Sequence, residues 1–294
     1  MKPIPHLIPA QWPASLSAAR FASTFRTESP DGCAVALLGL PDDRGVWMNN
    51  GRPGADRGPA AFREALGRYG AAQPAAGDLP RVFDAGNVEV SDSLEETHRR
   101  VTAVTGALLD AGLFPIAVGG GHDLTYPFVR AVAARFPKPV GVYFDAHLDV
   151  RETTGSGMPF RRLVEDCGVR GLHLHGFRPL VNSREHFAWF KAHGGTAHPD
   201  RAKVALPRAK HLFVSFDLDV LDAAQAPGVS ALNPSGWSVA DAERWVHACG
   251  ANRTVRCFDL MELNPAHDAD GRTARVAAHL FLTFLLGFAR RPGR

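Results

Sequence analysis

PVGVYFDAHLDV, residues 139–150, is the stretch that decides the fold. Its first six residues are almost all apolar, which is typical of a strand buried on both faces of a parallel sheet. Asp145, His147 and Asp149 follow at alternate positions. Because side chains alternate along a strand, we expect these three groups to point the same way. Two acids and an imidazole at the end of a buried strand are costly without partners, so the stretch also predicts a binding site.

Similar apolar segments recur along the chain and alternate with amphipathic helical segments. Strands are also predicted at 34–40, 81–88, 114–118, 170–175, 211–216 and 254–263. Helices are predicted at 58–70, 93–112 (opened by a capping box at Ser93), 124–136, 182–193, 238–249 and 272–289. This alternation is typical of a mostly parallel β-sheet covered by helices on both faces. We therefore predict one doubly wound α/β domain over residues 1–294, with an irregular segment at 1–30 and irregular structure at 195–210.

Composition and charge argue against several classes of protein. Hydrophobic residues make up 45% of the 294-residue chain, enough for a large core. The formal net charge is only +3 and no dense basic run is present, so a nucleic-acid partner is not expected. No stretch approaches the ~20 apolar residues of a membrane helix, and prolines interrupt the N-terminal residues, so neither a membrane span nor a signal peptide is expected. The four cysteines form no CxxC pair, which predicts reduced thiols in a cytoplasmic protein.

Four predicted strands are followed by polar residues that can do chemistry. These segments are GGGHD (119–123), DAHLD (145–149), DLDVLD (217–222) and Glu262. In a parallel sheet the carboxyl ends of the strands share one edge, where ligands bind. Each motif alone has an ordinary explanation: the glycines could cradle a phosphate or make a tight turn, and the acids could lie at a solvated strand end. Their coincidence at one edge predicts a common site.

A pair of divalent cations is the simplest partner for such a site. Four carboxylates placed together repel one another unless they take up protons or bind cations, and two divalent ions balance their charge. Added imidazoles make a mixed oxygen and nitrogen shell, which favours Mn²⁺ without excluding Zn²⁺, Co²⁺, Ni²⁺ or Fe²⁺. The predicted ligands are His122, Asp145, His147, Asp149, Asp217 and Asp219.

The three motifs, in this order, resemble those of the ureohydrolase superfamily, which includes arginase, agmatinase and formimidoylglutamase. The resemblance runs from about Pro41 to the last predicted helix. It implies two Mn²⁺ ions per subunit that activate water, with Asp145 and Asp217 bridging them. One ion would be held by His122, Asp145, Asp149 and Asp217, and the other by Asp145, His147, Asp217 and Asp219.

The resemblance also implies two further roles. Asp219 would pass a proton to the leaving amine. Glu262 would grip the cationic nitrogens of the substrate, and the ordinary alternative for this residue is a surface or helix-cap salt bridge.

The loop SGMPF, residues 156–160, separates the branches of this superfamily. Arginases and agmatinases carry a proton-shuttling His at this place, commonly in an HGxP-like stretch. The chain instead resembles the SGTPF-type loop of formimidoylglutamases, with Met158 in place of Thr. Stretches similar to that branch also lie at 45–63, 175–187, 226–231 and 262–278.

N-formimidoyl-L-glutamate carries two carboxylates, and arginine is the side chain best suited to bind them. Arg151 lies just beyond the metal motif and is the first candidate, with Ser156 of the loop beside it. Arg52, and Arg178 together with Asn182, are weaker candidates. The ordinary explanation for the weaker ones is a surface or structural role.

We therefore predict a small-molecule hydrolase that converts N-formimidoyl-L-glutamate and water to L-glutamate and formamide, a step of histidine degradation. The resemblance implies a homo-oligomer, and the lack of a predicted membrane span or signal peptide predicts a cytoplasmic location. Two alternatives remain at this point. One is an agmatinase-like or guanidinobutyrase-like enzyme that releases urea from a guanidino compound, and the other is a metal-binding homologue without catalysis.

Overall fold

The computed structural model describes residues 4–70, 79–198 and 203–291. One nine-stranded sheet runs through these residues. Its strands are β1 Leu7–Ile8, β2 Val35–Leu40, β3 Val82–Val88, β4 Phe114–Gly119, β5 Val140–Phe144, β6 Leu172–His175, β7 Gly195–His198, β8 Leu212–Asp217 and β9 Val255–Met261. Across the sheet they follow the order β1-β3-β2-β4-β9-β8-β5-β6-β7, and of these strands β1 alone runs antiparallel to its neighbour. The predicted mostly parallel sheet is confirmed.

Helices cover both faces of the sheet. The described residues form α1 Arg44–Met48, α2 Gly58–Leu66, α3 Leu94–Asp110, α4 Thr125–Arg135, α5 Pro159–Cys167, α6 Arg184–Ala192, α7 Val239–Ala251 and α8 Arg272–Ala289. One apolar core lies under α2, α7 and α8, and a second lies under α3 to α6. Strand β2 shows how alternation feeds both cores, since Val35 and Leu37 enter the first while Ala36 and Leu38 enter the second. The doubly wound arrangement is confirmed.

Four elements escaped the sequence patterns, and one of them is the short helix α1. Helix α5 begins inside the SGMPF segment, and its signals were present in the sequence: Pro159 is its first residue, and Gly168 at φ 67° ends it. Strand β7 was expected to be irregular, because an edge strand with mostly half-buried residues shows no apolar run. Strand β1 lies in the expected irregular N-terminal segment. Residues 199–202, also expected to be irregular, lie outside the described residues.

Two smaller expectations met different outcomes. The predicted cap of α3 is present in one half: Ser93 Oγ accepts the N–H of Glu96, while the Glu96 carboxylate bonds to Arg100 instead of closing the box. All four cysteines carry free thiols, as expected. Within the described ranges, no helix combines the length and apolarity that crossing a bilayer requires.

The sheet order places the polar segments side by side. Strands β4, β9, β8 and β5 are consecutive neighbours, and each is followed by one of the four segments singled out in the sequence. Because these strands are parallel, their carboxyl ends meet at one edge.

Candidate metal centre and active site

His122 lies at the centre of a first group of acids. It begins a short 3-10 turn after β4. Its Nδ1 atom lies 2.9 Å from Asp149 Oδ2, 3.1 Å from Asp217 Oδ2 and 3.3 Å from Asp145 Oδ2. All four residues are nearly inaccessible to solvent, apart from partial exposure of Asp149. The structure thus brings together the first predicted ligand set.

A second group shares Asp145 with the first. His147 Nδ1 lies 3.0 Å from Asp219 Oδ2 and 3.3 Å from Asp145 Oδ1, so Asp145 presents one oxygen to each group. Asp217 presents Oδ2 to the first group, but its Oδ1 accepts the N–H of Asp219 at 2.7 Å. The bridging role implied for Asp217 therefore stays a prediction.

The first group fits a cation better than it fits a hydrogen-bonded cluster. An imidazole nitrogen donates at most one hydrogen bond, yet three carboxylates surround Nδ1 of His122. This nitrogen and Asp145 Oδ2 are both buried and lack a hydrogen-bond partner of acceptable geometry. Buried polar atoms are rarely left this way, and atoms that converge on one point are what a metal requires. Carboxylate oxygens with one imidazole are ligands that suit a divalent ion such as Mn²⁺.

Turns, rather than strand alternation, orient these side chains. Strand β5 ends at Phe144, and the Asp145 Oδ1 atom accepts the N–H of His147 at 2.6 Å. Asp217 and Asp219 repeat this carboxylate-to-backbone turn after β8. Asp149 adopts a left-handed backbone with φ 48°. The three polar side chains of the DAHLD segment reach one site, as expected, but turns rather than an extended strand aim them, because the chain has left the sheet before His147.

The glycines of GGGHD serve close packing rather than phosphate binding. A Cβ atom on Gly120 would lie 2.0 Å from the carbonyl oxygen of Asp42. The N–H groups of Gly120 and Gly121 donate to the carbonyls of Leu40 and Asp42, both at 2.9 Å, so these amides are occupied. The glycines let the loop lie against its neighbours and carry His122 to the site.

A buried chain of hydrogen bonds sets the orientation of His122. Its Nε2 atom lies 3.0 Å from Ser215 Oγ, and Ser215 donates to Asp259 Oδ1 at 2.6 Å. Thr125 donates to the other Asp259 oxygen at 3.1 Å. Because the single hydroxyl hydrogen of Ser215 goes to Asp259, Ser215 accepts from Nε2, so the neutral imidazole of His122 has its lone pair on Nδ1, as a metal ligand requires. Burial raises the pKa of Asp259 to about 6.

Sequence reasoning missed this chain. The available signal was a polar residue inside each of two otherwise apolar strands, Ser215 in β8 and Asp259 in β9.

The candidate ligand residues are electrostatically linked. Burial, followed by repulsion from Asp149 and Asp219, raises the pKa of Asp145 to about 6. Burial and the neighbouring acids also raise the pKa of Asp217. Burial lowers the pKa of His122, but the surrounding carboxylates outweigh it and raise that pKa well above its usual value. Without cations this cluster retains protons, and cation binding would displace them.

Glu262 forms the wall of the site next to His122. It follows β9, is 4% exposed, and adopts a left-handed backbone with φ 66°. Its Oε1 atom accepts the backbone N–H of His122 at 2.9 Å, while Oε2 is buried without a partner. Burial raises the pKa of this carboxyl to about 8. A strained backbone and an unpaired carboxylate oxygen are typical of a functional position rather than of a helix-cap salt bridge.

A cavity opens next to both ligand groups. Four of the predicted substrate-binding residues line it, namely Arg151, Ser156, Asn182 and Glu262. Arg52 and Arg178 are not among its lining residues. Asn49, His186 and Ser230 also line it and were not predicted.

The SGMPF loop forms one side of this cavity. Ser156 is held by its backbone N–H, which donates to the carbonyl of Gly45 at 2.9 Å, and by its hydroxyl, which accepts from Asn49 Nδ2 at 3.0 Å. The Asn49 side-chain oxygen faces an Nη1 donor of Arg151 at 3.4 Å. Met158 is only 2% exposed and packs inside the protein. The substitution of Met for the usual Thr therefore acts on packing beneath the loop.

The other predicted substrate-binding residues mainly contact the backbone. Asn182 accepts the N–H of Leu148 and donates to the carbonyls of Ala146 and Arg178, which ties its own loop to the metal-ligand loop. The Arg52 guanidinium donates to the carbonyls of Val229 and Ser230. The Arg178 Nε atom donates to the side-chain oxygen of Asn233 at 3.3 Å. Their substrate roles stay predictions, and the contacts seen are those of structural residues.

The parallel sheet carries two groups of carboxylates and imidazoles at its carboxyl edge. This arrangement is that of a hydrolase with a dinuclear metal centre. The chain belongs to the arginase family, whose family model matches residues 33–287.

Known members of this family are similar to this protein over most of the length of its chain. The formimidoylglutamase of Ralstonia nicotianae is 37% identical over 288 residues, which span 89% of this chain and 87% of the relative. The mitochondrial guanidino acid hydrolase of Homo sapiens is 32% identical over 288 residues, spanning 87% of this chain and 79% of the relative. The crystal structure of Trypanosoma cruzi formiminoglutamase with Mn²⁺ superposes with a TM-score of 0.86 at 33% identity, covering 93% of this chain and 99% of the other.

Proposed function

We propose that this chain hydrolyses N-formimidoyl-L-glutamate to L-glutamate and formamide, using two Mn²⁺ ions. One observation carries the proposal: two ligand groups that share Asp145 open onto a cavity whose wall bears Arg151 and Ser156. The similarity to formimidoylglutamases over most of the chain supports it, as does the Mn²⁺ in the solved relative.

The residues of the site divide the work between them. Cations bound in the two groups would lower the pKa of a coordinated water and supply the nucleophile. His122, Asp145, Asp149 and Asp217 would hold one ion, and Asp145, His147, Asp217 and Asp219 would hold the other. The free Oε2 atom of Glu262 would accept hydrogen bonds from the formimidoyl nitrogens.

The leaving nitrogen needs a proton before the carbon–nitrogen bond breaks. Asp219 is placed for this transfer, because it lines the cavity and its Oδ2 atom lies 3.0 Å from His147 Nδ1. The imidazole of His147 outweighs the effect of burial and lowers the pKa of Asp219. Asp219 is thus ionised at neutral pH and has room for a proton, and it would receive one from the attacking water and return it to the leaving amine.

The test is product analysis. The purified protein, loaded with Mn²⁺, is offered N-formimidoyl-L-glutamate, arginine, agmatine and guanidinobutyrate in separate reactions. Formamide and glutamate from the first compound alone are the expected result. The Asp145→Asn protein, prepared in the same way, is the control for a contaminating hydrolase.

A second candidate is hydrolysis of a guanidino acid with release of urea. The 32% identity to the human guanidino acid hydrolase favours it. Urea from guanidinobutyrate, without formamide from the formimidoyl compound, would replace the first proposal by this one. No product from any of the four compounds, with two ions bound, would favour a homologue without catalysis.

We further propose a place for this reaction in histidine degradation, in the cytoplasm, by a single-domain chain that assembles as a homo-oligomer. The resemblance to formimidoylglutamases supports the pathway. Light scattering of the purified protein tests the assembly, and a monomer would contradict it.

A further inference from the structure

The cavity contains two basic side chains that neither ligand group uses. Arg151 lies in the loop after β5, and His186 is the third residue of α6. The Arg151 guanidinium makes one weak contact, with the side-chain oxygen of Asn49 at 3.4 Å. Within the described parts of the chain, neither side chain forms an ion pair with a carboxylate. Both therefore retain free hydrogen-bond donors beside the site.

The backbone of His186 is fixed relative to the metal-ligand loop. Ser183 caps α6, and its hydroxyl accepts the N–H of His186 at 3.1 Å. Asn182, immediately before, bonds to the N–H of Leu148 and the carbonyl of Ala146, the two neighbours of the ligand His147 in the chain. The start of α6 is thus tied to the loop that carries a ligand.

The next residue, Phe187, also fixes the first turn of α6. Phe187 stacks on Phe177 with ring centroids 5.5 Å apart, and neither ring lines the cavity. This contact holds the helix in a rotation that leaves the His186 side chain at the cavity wall.

The charges of the proposed substrate match this wall. Its amidine end is cationic and would face Glu262, whereas its two carboxylates need hydrogen-bond donors away from that acid. An arginine fork and an imidazole N–H are both suitable donors to a carboxylate. Two basic side chains on separate elements correspond to two carboxylates.

We propose that His186 is a specificity-determining residue that binds one substrate carboxylate, while Arg151 binds the other. The proposal rests on the proposed function and deepens it by dividing recognition of the dicarboxylate between α6 and the loop after β5.

The experiment compares three substrates with the Mn²⁺-loaded protein. N-formimidoyl-L-norvaline lacks the side-chain carboxylate, and N-formimidoyl-4-aminobutyrate lacks the α-carboxylate. We expect His186→Ala to lower kcat/KM for the dicarboxylate about 10–100-fold, mainly through KM, since a hydrogen bond to a charged group is lost. The same variant should lower kcat/KM only slightly for whichever analogue lacks the carboxylate that His186 binds. Arg151→Ala should show the same pattern with the other analogue.

His193→Ala is the matched control, because His193 follows the same helix, is exposed and bonds to the carbonyl of Trp189. It should leave all three values unchanged. His186→Gln retains a neutral N–H donor and should restore part of the lost affinity.

Two results would overturn the proposal. An equal loss on all three substrates, carried by kcat, would show that His186 acts in proton transfer or in folding. Unchanged kinetics would show a surface histidine. Failure of the proposed function is recognised separately, since the wild-type protein would then release no formamide from the dicarboxylate, and the proposal for His186 would fall with it.

Discussion

Substituting Ser215 by Ala should weaken metal binding in the group around His122. The hydroxyl of Ser215 is the acceptor for the His122 Nε2–H, and it is completely buried, so water cannot replace it. The imidazole would either leave this N–H unpaired, at a cost of about 1–3 kcal/mol, or move its proton to the ligand nitrogen Nδ1. Removal of such a supporting partner typically lowers metal affinity about 10–100-fold.

Calorimetric titration of the metal-free protein with Mn²⁺ measures this effect. We expect the affinity of one ion to fall by that factor while the ion held by His147 and Asp219 binds with little change, because Ser215 contacts neither residue. A urea unfolding curve for the same variant shows whether the fold is intact.

Thr125→Val is the control with matched size. Thr125 bonds to the far oxygen of Asp259 and leaves the His122–Ser215 contact in place, so its effect on affinity should be much smaller. Wild-type affinity for both ions in Ser215→Ala would refute the view that this chain of hydrogen bonds sets the state of His122.

Three further outcomes are expected. Arg63 donates to both Asp84 oxygens at 2.8 Å, and the side chains of this pair are at most 3% exposed. Arg63→Met should therefore lower the free energy of unfolding in urea by about 3–5 kcal/mol, and adding Asp84→Leu should restore most of that stability. A loss below about 1 kcal/mol in the single variant would contradict a stabilising role for the buried pair. Burial, followed by the charges of His198 and His173, lowers the pKa of His175 to about 3. Between about pH 6.5 and pH 3 only the unfolded chain therefore binds a proton at this residue, and the stability of the fold decreases as the pH falls. The unfolding free energy of His175→Leu, relative to that of the wild type, should therefore rise by about 2 kcal/mol between pH 7 and pH 5. Titration of the ligand acids is common to both proteins and cancels in this comparison. A difference in unfolding free energy that does not change with pH would show that folded His175 is protonated. Asp145→Asn should lose both bound Mn²⁺, as measured by metal analysis, and formamide release. Glu262→Gln should lose formamide release but retain bound Mn²⁺. Full activity in Asp145→Asn would rule out Asp145 as a ligand shared by both ions.

Much of the fold follows from local patterns in the sequence. Continuous apolar strands separated by amphipathic helices predict a covered parallel sheet, because burial on both faces requires that pattern. The failures have the same physical basis. Strand β7, GTAH, lies at an edge with three of its four residues half-buried, so burial imposes no apolar run that a reader could detect. Whether such a segment pairs is decided by β6 beside it.

The sequence predicted which residue types would be ligands, but it could not predict which of them lie close together. Aspartates and histidines after buried strands are visible in the sequence because no other role explains their cost. That His122 meets Asp149 and Asp217 depends on β9 and β8 lying between β4 and β5, and strand order is set by packing between distant segments. The hydrogen bonds from His122 through Ser215 to Asp259 require the same order.

The arginines show this limit most clearly. In the sequence Arg151 is the first candidate, because it lies just beyond the metal motif, and Arg52, between two glycines at 51 and 54, is a weaker one. In the structure the Arg52 guanidinium is held by backbone carbonyls at residues 229 and 230, far along the chain, while Arg151 lines the cavity. The sequence by itself determined the kind of sheet and the chemistry at its edge, since both depend on burial patterns within single segments. The tertiary structure alone decided which side chains reach the cavity, because a hydrogen bond between distant segments exists only after the chain has folded.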